Sequence, residues 1–358
     1  MPRKKDLTVK TNIIKKTWLN KINRHQPDKI DREKFLRLDK NERVIKFEKR
    51  FIKYLKKKIN TFNISAYPDT NRIKKMISKK NKISPKMIYI SAGSDLSIKT
   101  CFELFTKPKD KVIILEPTFG MVNVYCDVYN LKTIKIGYDK NLNLDLNKLL
   151  NNISKSISLV IIANPNSPTG TIIEKTQMIK IINKCNNSKV PIIIDEAYEG
   201  FYNFTYASYI KRFKNLIVTR TFSKSFGLAG LRAGYAISNQ KIAELMNKYR
   251  PMYEINSIVC LAIEFLIKNY SIVDKHIKEI FLAKKYLKQE LKKMKIDFID
   301  TYANFFHIRI KKKANFEKFL KRKEILVRSG PGVRGLEDYL RFSLGSKIQM
   351  KKIIKLIN

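Results

Sequence analysis

The residue types best suited to chemistry fall behind three short apolar runs. SLVIIA (158–163) is followed by Asn164 in NPNSPTG, and PIIID (191–195) ends in Asp195, with Glu196, Ala197 and Tyr198 behind it. NLIVT (215–219) leads into Arg220, Thr221, Phe222, Ser223 and Lys224, and Arg232 stands eight residues after Lys224. A lysine in a low-dielectric, positively charged setting loses its proton readily and can then serve as nucleophile, base and acid. Singly, each residue has a plain reading: NPNSPTG as a turn-rich loop, Asp195 as a helix N-cap, Lys224 as a solvated side chain. As an ordered set, with an amide, a carboxylate, a phenol and a guanidinium around one lysine, they describe a site.

The elements behind them must bring these positions together. KVIIL (111–115) joins the three runs above as a Val/Ile stretch without polar alternation, the pattern of parallel strands covered by helices on both faces. The intervening segments have crossover-helix length, so the expected fold is α/β with a mostly parallel, doubly wound sheet. In such sheets ligands sit beyond the carboxyl ends of the strands, where the polar residues cluster. After about residue 270 the pattern changes to a Lys-rich helix (roughly 271–295), then strand-like NFFHIRI, EILVRS and YLRFSLG. The expected division is an arm over 1–45, a large unit over 46–270 and a small α+β unit over 271–358.

The chain of 358 residues, 44% hydrophobic, is long enough for two cores. Its 74 basic against 31 acidic residues give a net charge of +43, a field that attracts anions. The lysines are spread along the chain, and no zinc-finger spacing, RRM signature or basic heptad helix accompanies them, so no specific nucleic-acid partner is expected. Cys101, Cys126, Cys185 and Cys260 lie among apolar residues without a CxxC pair and read as buried free thiols; three histidines make a metal site improbable. MPRKKDLTVK has no apolar stretch behind it and no membrane-length run follows, so a cytoplasmic location is expected.

The ordered motifs SAYPD (65–69), SAGSDLSI (91–98), EPTFGM (116–121), NPNSPTG (164–170), DEAY (195–198) and RTFSKSFGLAGLRAG (220–234), with the arginines of LVRSG and YLRFSLG, carry a resemblance. From about Leu38 onward the chain resembles the fold-type I pyridoxal-phosphate aminotransferases, and most closely the histidinol-phosphate aminotransferase group. The resemblance implies that Lys224 carries pyridoxal phosphate as a Schiff base and moves the proton. It implies that Asp195 faces the pyridine nitrogen, that Asn164 and Tyr198 bond the phenolic oxygen, and that Phe119 lies against the ring. Gly93, Ser94 and Asp95 at a helix start, with Thr221, Ser223 and Arg232, would hold the phosphate. Tyr67 would reach it from the neighbouring subunit of a homodimer with shared active sites.

Arg328 and Arg341 match the family's two arginines for the substrate carboxylate or phosphate; Arg334 in GPGVRG is an additional candidate that the family pattern does not require. The expected reaction moves an amino group between glutamate or a similar donor and a small phosphorylated keto or aldehyde compound. Decarboxylation of a phosphorylated amino acid is the alternative, and a basic nucleic-acid-binding protein with an aminotransferase-like domain is the non-enzyme reading. Two departures stand out. The family's Asn-Glu-Asn-Pro-like segment appears only as KNERVI (40–45), and PMYEIN (251–256) has Glu254 where an uncharged residue is common. Glu254 is read either as lining the substrate pocket or as a surface carboxylate.

Overall fold

The protein is seen in a computed structural model that describes residues 16–22 and 30–357. The N-terminal decapeptide and much of the 1–45 arm thus lie outside the described residues. In chain order, β1 (Leu36–Arg37) precedes the seven strands of the larger sheet. These are β2 (Ile88–Ser91), β3 (Lys111–Glu116), β4 (Lys132–Gly137), β5 (Ile157–Ala163), β6 (Ile192–Asp195), β7 (Leu216–Thr221) and β8 (Gly234–Ile237). They lie in the order β2-β8-β7-β6-β5-β3-β4. The five strands from β4 to β7 pair in parallel, whereas β8 is antiparallel to both β7 and β2.

The unbroken apolar runs have a physical cause, since successive side chains of a strand point to opposite faces and both faces are covered. Val112, Ile114, Leu159, Ile161, Ile193 and Ile217 pack with Ile98, Phe102 and Met246 from helices Ser94–Phe105 and Gln240–Tyr249. Their strand neighbours Ile113, Val160, Ile162, Ile194 and Val218 pack with Met178, Ile181 and Ile182 of helix Lys175–Asn187. Each apolar position of the sheet is therefore committed to one of two helical layers.

A smaller antiparallel sheet uses β9 (Phe298–Ile299), β10 (Phe305–Arg309), β12 (Arg328–Ser329) and β13 (Tyr339–Ser343), in the order β12-β13-β10-β9. The segment EILVRS forms two short strands rather than one: β11 (Ile325–Leu326) pairs in parallel with β1, and β12 pairs with β13. Leu38 accepts from the Ser343 amide and donates to Leu326, so residues 36–39 are sewn to this smaller sheet. The Lys-rich helix spans Ser271–Lys293 and lies against helix Lys347–Ile357. Cys101, Cys126 and Cys185 are buried free thiols, while Cys260 is only half-buried, a correction to the expectation. Among the described residues no helix is long and apolar enough to cross a membrane, and no His/Cys/Asp/Glu cluster could hold a metal.

Candidate active site

Register delivers the polar residues of the strand ends to one rim. Ala163 is level with Asp195, and Asp195 with Thr219, across β5, β6 and β7. The Asn164 amide donates to the Asp195 carbonyl at 2.9 Å, which fixes the first residue beyond β5 beside the last of β6. Asn164 Oδ1 accepts from the Ile173 amide at 2.7 Å, and its Nδ2 is buried without a partner. Asp195 is 4% exposed and accepts from Thr219 Oγ1 at 2.7 Å. Burial pushes its carboxyl up to about 7, with Asp95 and Glu196 adding to the effect and the Thr219 hydrogen bond and Lys224 opposing it.

Lys224 follows β7 and is half-buried at the cavity wall. Its Nζ donates to the carbonyls of Lys40 at 3.0 Å and Asn41 at 3.3 Å. Burial and the charges of Arg341 and Arg232 push its amine down to about 8, against the pull of Glu42 and Asp195. Tyr198 is buried and its phenol is raised, chiefly by burial, with Arg341 opposing. Its oxygen accepts from Asn41 Nδ2 at 2.8 Å.

Gly93 caps helix Ser94–Phe105 at φ +87°, and a Cβ there would stand 2.8 Å from Arg232 Nη2. The guanidinium thus lies against Gly93 at the helix start, which sets a cation beside free N–H donors as a cradle for an anion. Arg232 Nη1 donates to Ser223 Oγ at 3.3 Å, and Thr221 Oγ1 donates to the same oxygen at 2.9 Å. Asp95 is turned to Tyr125, whose hydroxyl donates to it at 2.8 Å.

These groups open on one cavity of about 1150 Å³, lined by Ser94, Asp95, Phe119, Asp195, Tyr198, Thr221, Ser223, Lys224, Arg232, Arg328 and Arg341. Gly93 and Asn164 sit just behind the lining, beside Ser94 and between Ala163 and Pro165. Arg328 and Arg341 are register partners on β12 and β13. Arg341 Nη2 donates to the Asp39 carbonyl at 2.8 Å, while its Nε is buried without a partner. Burial and the charge of Arg328 lower its pKa.

Three candidates lie elsewhere. Tyr67 is not brought to the cavity of its own chain; it is 78% exposed and stacked on Tyr253, ring centroids 4.2 Å apart. Glu254 does not line the cavity of its own chain: it accepts from the Tyr89 hydroxyl, and burial raises its carboxyl to about 7. Arg334 is exposed and outside the lining. The sequence reading also missed residues that do line the cavity: Arg37, Lys40, Asn41, Glu42, Arg43 and Ser167. For Lys40, Asn41, Glu42 and Arg43 the one signal was the imperfect segment KNERVI, and Ser167 stood within NPNSPTG.

Comparison with known proteins fits this geometry. The profile of aminotransferase class I and II matches residues 36–357. The histidinol-phosphate aminotransferase of Pelagibacter ubique is 31% identical over 350 residues, covering 94% of this chain and 96% of that protein. That of Caldanaerobacter subterraneus subsp. tengcongensis is 30% identical over 315 residues, covering 87% and 88%. Among solved structures, histidinol-phosphate aminotransferase from Sinorhizobium meliloti in complex with pyridoxal-5'-phosphate superposes with a TM-score of 0.83. It shares 19% identity, with 95% of this chain and 96% of that one covered.

The chain belongs to the aminotransferase class I and II family, with the fold-type I architecture, and is a pyridoxal-phosphate-dependent transaminase. The residues present fit that cofactor: Asn164 has a buried amide N–H to give, the Gly93–Arg232 cradle suits a phosphate, and Asp195 keeps a carboxylate oxygen free of any described partner.

Proposed function

We propose that this enzyme moves an amino group between glutamate and a small phosphorylated carbonyl compound, with histidinol phosphate as the phosphorylated amine. The observation that carries the reading is the charge of the cavity. Arginines and lysines at 37, 40, 43, 46, 224, 232, 328 and 341 face only Glu42, Asp95 and Asp195. Arg232 is committed to the Gly93 cradle, which leaves the adjacent Arg328 and Arg341 for the anionic groups of a substrate. The names of the relatives agree with a phosphorylated amine.

In this reading the cofactor, when bound, supplies an electron-withdrawing pyridine ring that stabilises negative charge at the substrate carbon. Asp195 holds the ring nitrogen by a charged hydrogen bond, and Phe119 packs on the ring face. Asn164 Nδ2 and the Tyr198 hydroxyl donate to its phenolic oxygen. Ser94, the amides after Gly93, Thr221, Ser223 and Arg232 hold its phosphate. Lys224 Nζ would bind the cofactor at rest and, once the substrate amine displaces it, would take the proton from the substrate carbon that bears nitrogen and give it up again; an amine near 8 can both accept and return a proton at neutral pH. Residues 46–270 form the cofactor unit, and 271–357, joined by residues 36–39 of the arm, form the smaller one. The enzyme is a homodimer, working in the cytoplasm, in which Tyr67 serves the partner's site.

Absorbance titration of the purified holoenzyme tests the substrate. Histidinol phosphate should bleach the visible cofactor band, and 2-oxoglutarate should restore it with glutamate as product. No bleaching by histidinol phosphate where glutamate does bleach the band, or carbon dioxide released from phosphothreonine, would overturn the proposal.

A further inference from the structure

The residue that ties the site together lies in the segment where the chain departs from its family pattern. Asn41 is 3% exposed and left-handed, at φ +56°, a conformation that asparagine tolerates better than most residues. Its amide donates to Ser343 Oγ at 2.8 Å, and that hydroxyl donates back to Asn41 Oδ1 at 3.1 Å. Asn304 Nδ2 donates to its carbonyl at 3.2 Å. These contacts, all to the smaller sheet or the turn before it, fix which end of the side-chain amide is which. Oδ1 is spoken for by Ser343, so Nδ2 is the end that meets Tyr198.

Polarity then decides what Tyr198 can do. A carboxamide nitrogen only donates, so the phenolic oxygen accepts at 2.8 Å and its own proton is directed elsewhere. Ser167, a cavity-lining hydroxyl, also hydrogen-bonds this phenol in the sense that favours its charged form. The proton of Tyr198 is therefore not taken up by Asn41 and is free to point into the cavity. On the other side of the same residue, the carbonyls of Lys40 and Asn41 receive two of the three protons of the Lys224 ammonium.

We infer that Asn41 is a positioning residue: it aims the Tyr198 hydroxyl at the bound cofactor and, with Lys40, gives the protonated Lys224 a resting place. The inference rests on Lys224 and Tyr198 serving the cofactor as proposed above. Donation to the cofactor's anionic oxygen lowers the basicity of the group conjugated with it, so losing a well-aimed donor raises the pH at which the visible band titrates.

In Asn41→Asp the donor becomes an acceptor, which captures the Tyr198 proton. Titrating the absorbance of the substrate-free holoenzyme against pH should show the midpoint raised by about one unit. In Asn41→Gly, where positive φ is unstrained, the midpoint should also rise, by less. Asn41→Asp should lower kcat at least about tenfold with KM little altered, and should add no further shift in a Tyr198→Phe background. An unchanged midpoint in both folded Asn41 variants, or a full additional shift in the Tyr198→Phe background, overturns the assignment. Failure of the underlying reading looks different: the unsubstituted protein would then show no pyridoxal-phosphate band that Lys224→Ala removes.

Discussion

Asp195 is the residue whose burial leaves the plainest thermodynamic mark. Its folded-state carboxyl lies near 7 instead of 3.8. A carboxyl raised on folding takes its proton more readily folded than unfolded, so the cofactor-free protein carries a penalty that grows as pH climbs from about 4 to about 7. It is then constant, at roughly 4 kcal/mol for three units. Asn keeps the shape and the acceptor for Thr219 Oγ1 without the charge. Asp195→Asn should thus raise the melting temperature of the cofactor-free protein at pH 8 and leave it unchanged near pH 3.5. It should weaken pyridoxal phosphate binding and lower turnover at least about a hundredfold, since the ring nitrogen loses its counter-charge. Melting curves of both proteins across that pH range check the sign, and parallel curves at every pH would show that Asp195 is not the buried acid described here.

At the scale of elements, the phosphate cradle depends on how closely a helix start approaches a strand. A Cβ at Gly234, the first residue of β8, would meet Ser94 N at 2.4 Å, the Gly93 carbonyl carbon at 2.5 Å and the Arg220 carbonyl oxygen at 2.7 Å. All three are backbone atoms that cannot swing aside. Gly234→Ala should therefore push helix Ser94–Phe105 off the sheet, cost about 1–3 kcal/mol and weaken cofactor binding at least about tenfold. Melting curves and a fluorescence titration with pyridoxal phosphate check both effects, and Gly230→Ala, with open space around it, should leave both unchanged. The sequence showed β3, β5, β6 and β7 because both faces of each are covered and their apolar runs are unbroken. It did not show β2 (IYIS) and β8 (GYAI), where Tyr with Ser or Gly breaks the apolar run, or β4, where KTIKIG alternates at the sheet edge with only Ile136 fully buried. The same limit hid Asn41. Its role comes from Ser343 and Tyr198, 302 and 157 residues away, and no local pattern reports a hydrogen bond of that reach.

At the scale of the molecule, the exposed apolar surface around Tyr67 asks for a partner. Tyr67 is 78% exposed, Met252 75%, Phe62 73% and Ile64 69%. The Tyr67–Tyr253 stack and the Ser257–Ala66 hydrogen bond bring the two segments together. A surface of this kind suits an interface, and the proposed homodimer would use it to carry Tyr67 to the neighbouring subunit. If Tyr67 acts across the interface, each active site takes Lys224 from one subunit and Tyr67 from the other. Lys224→Ala alone should be inactive, and Tyr67→Ala alone should turn over poorly at low cofactor concentration. When the two variants are unfolded together and refolded in equal amounts, half of the dimers are mixed, and each mixed dimer has one site with both residues intact. Activity should return to about a quarter of the unsubstituted level. A mixture no more active than the sum of its parents, with mixed dimers present by mass, would show that Tyr67 does not act in the partner's site.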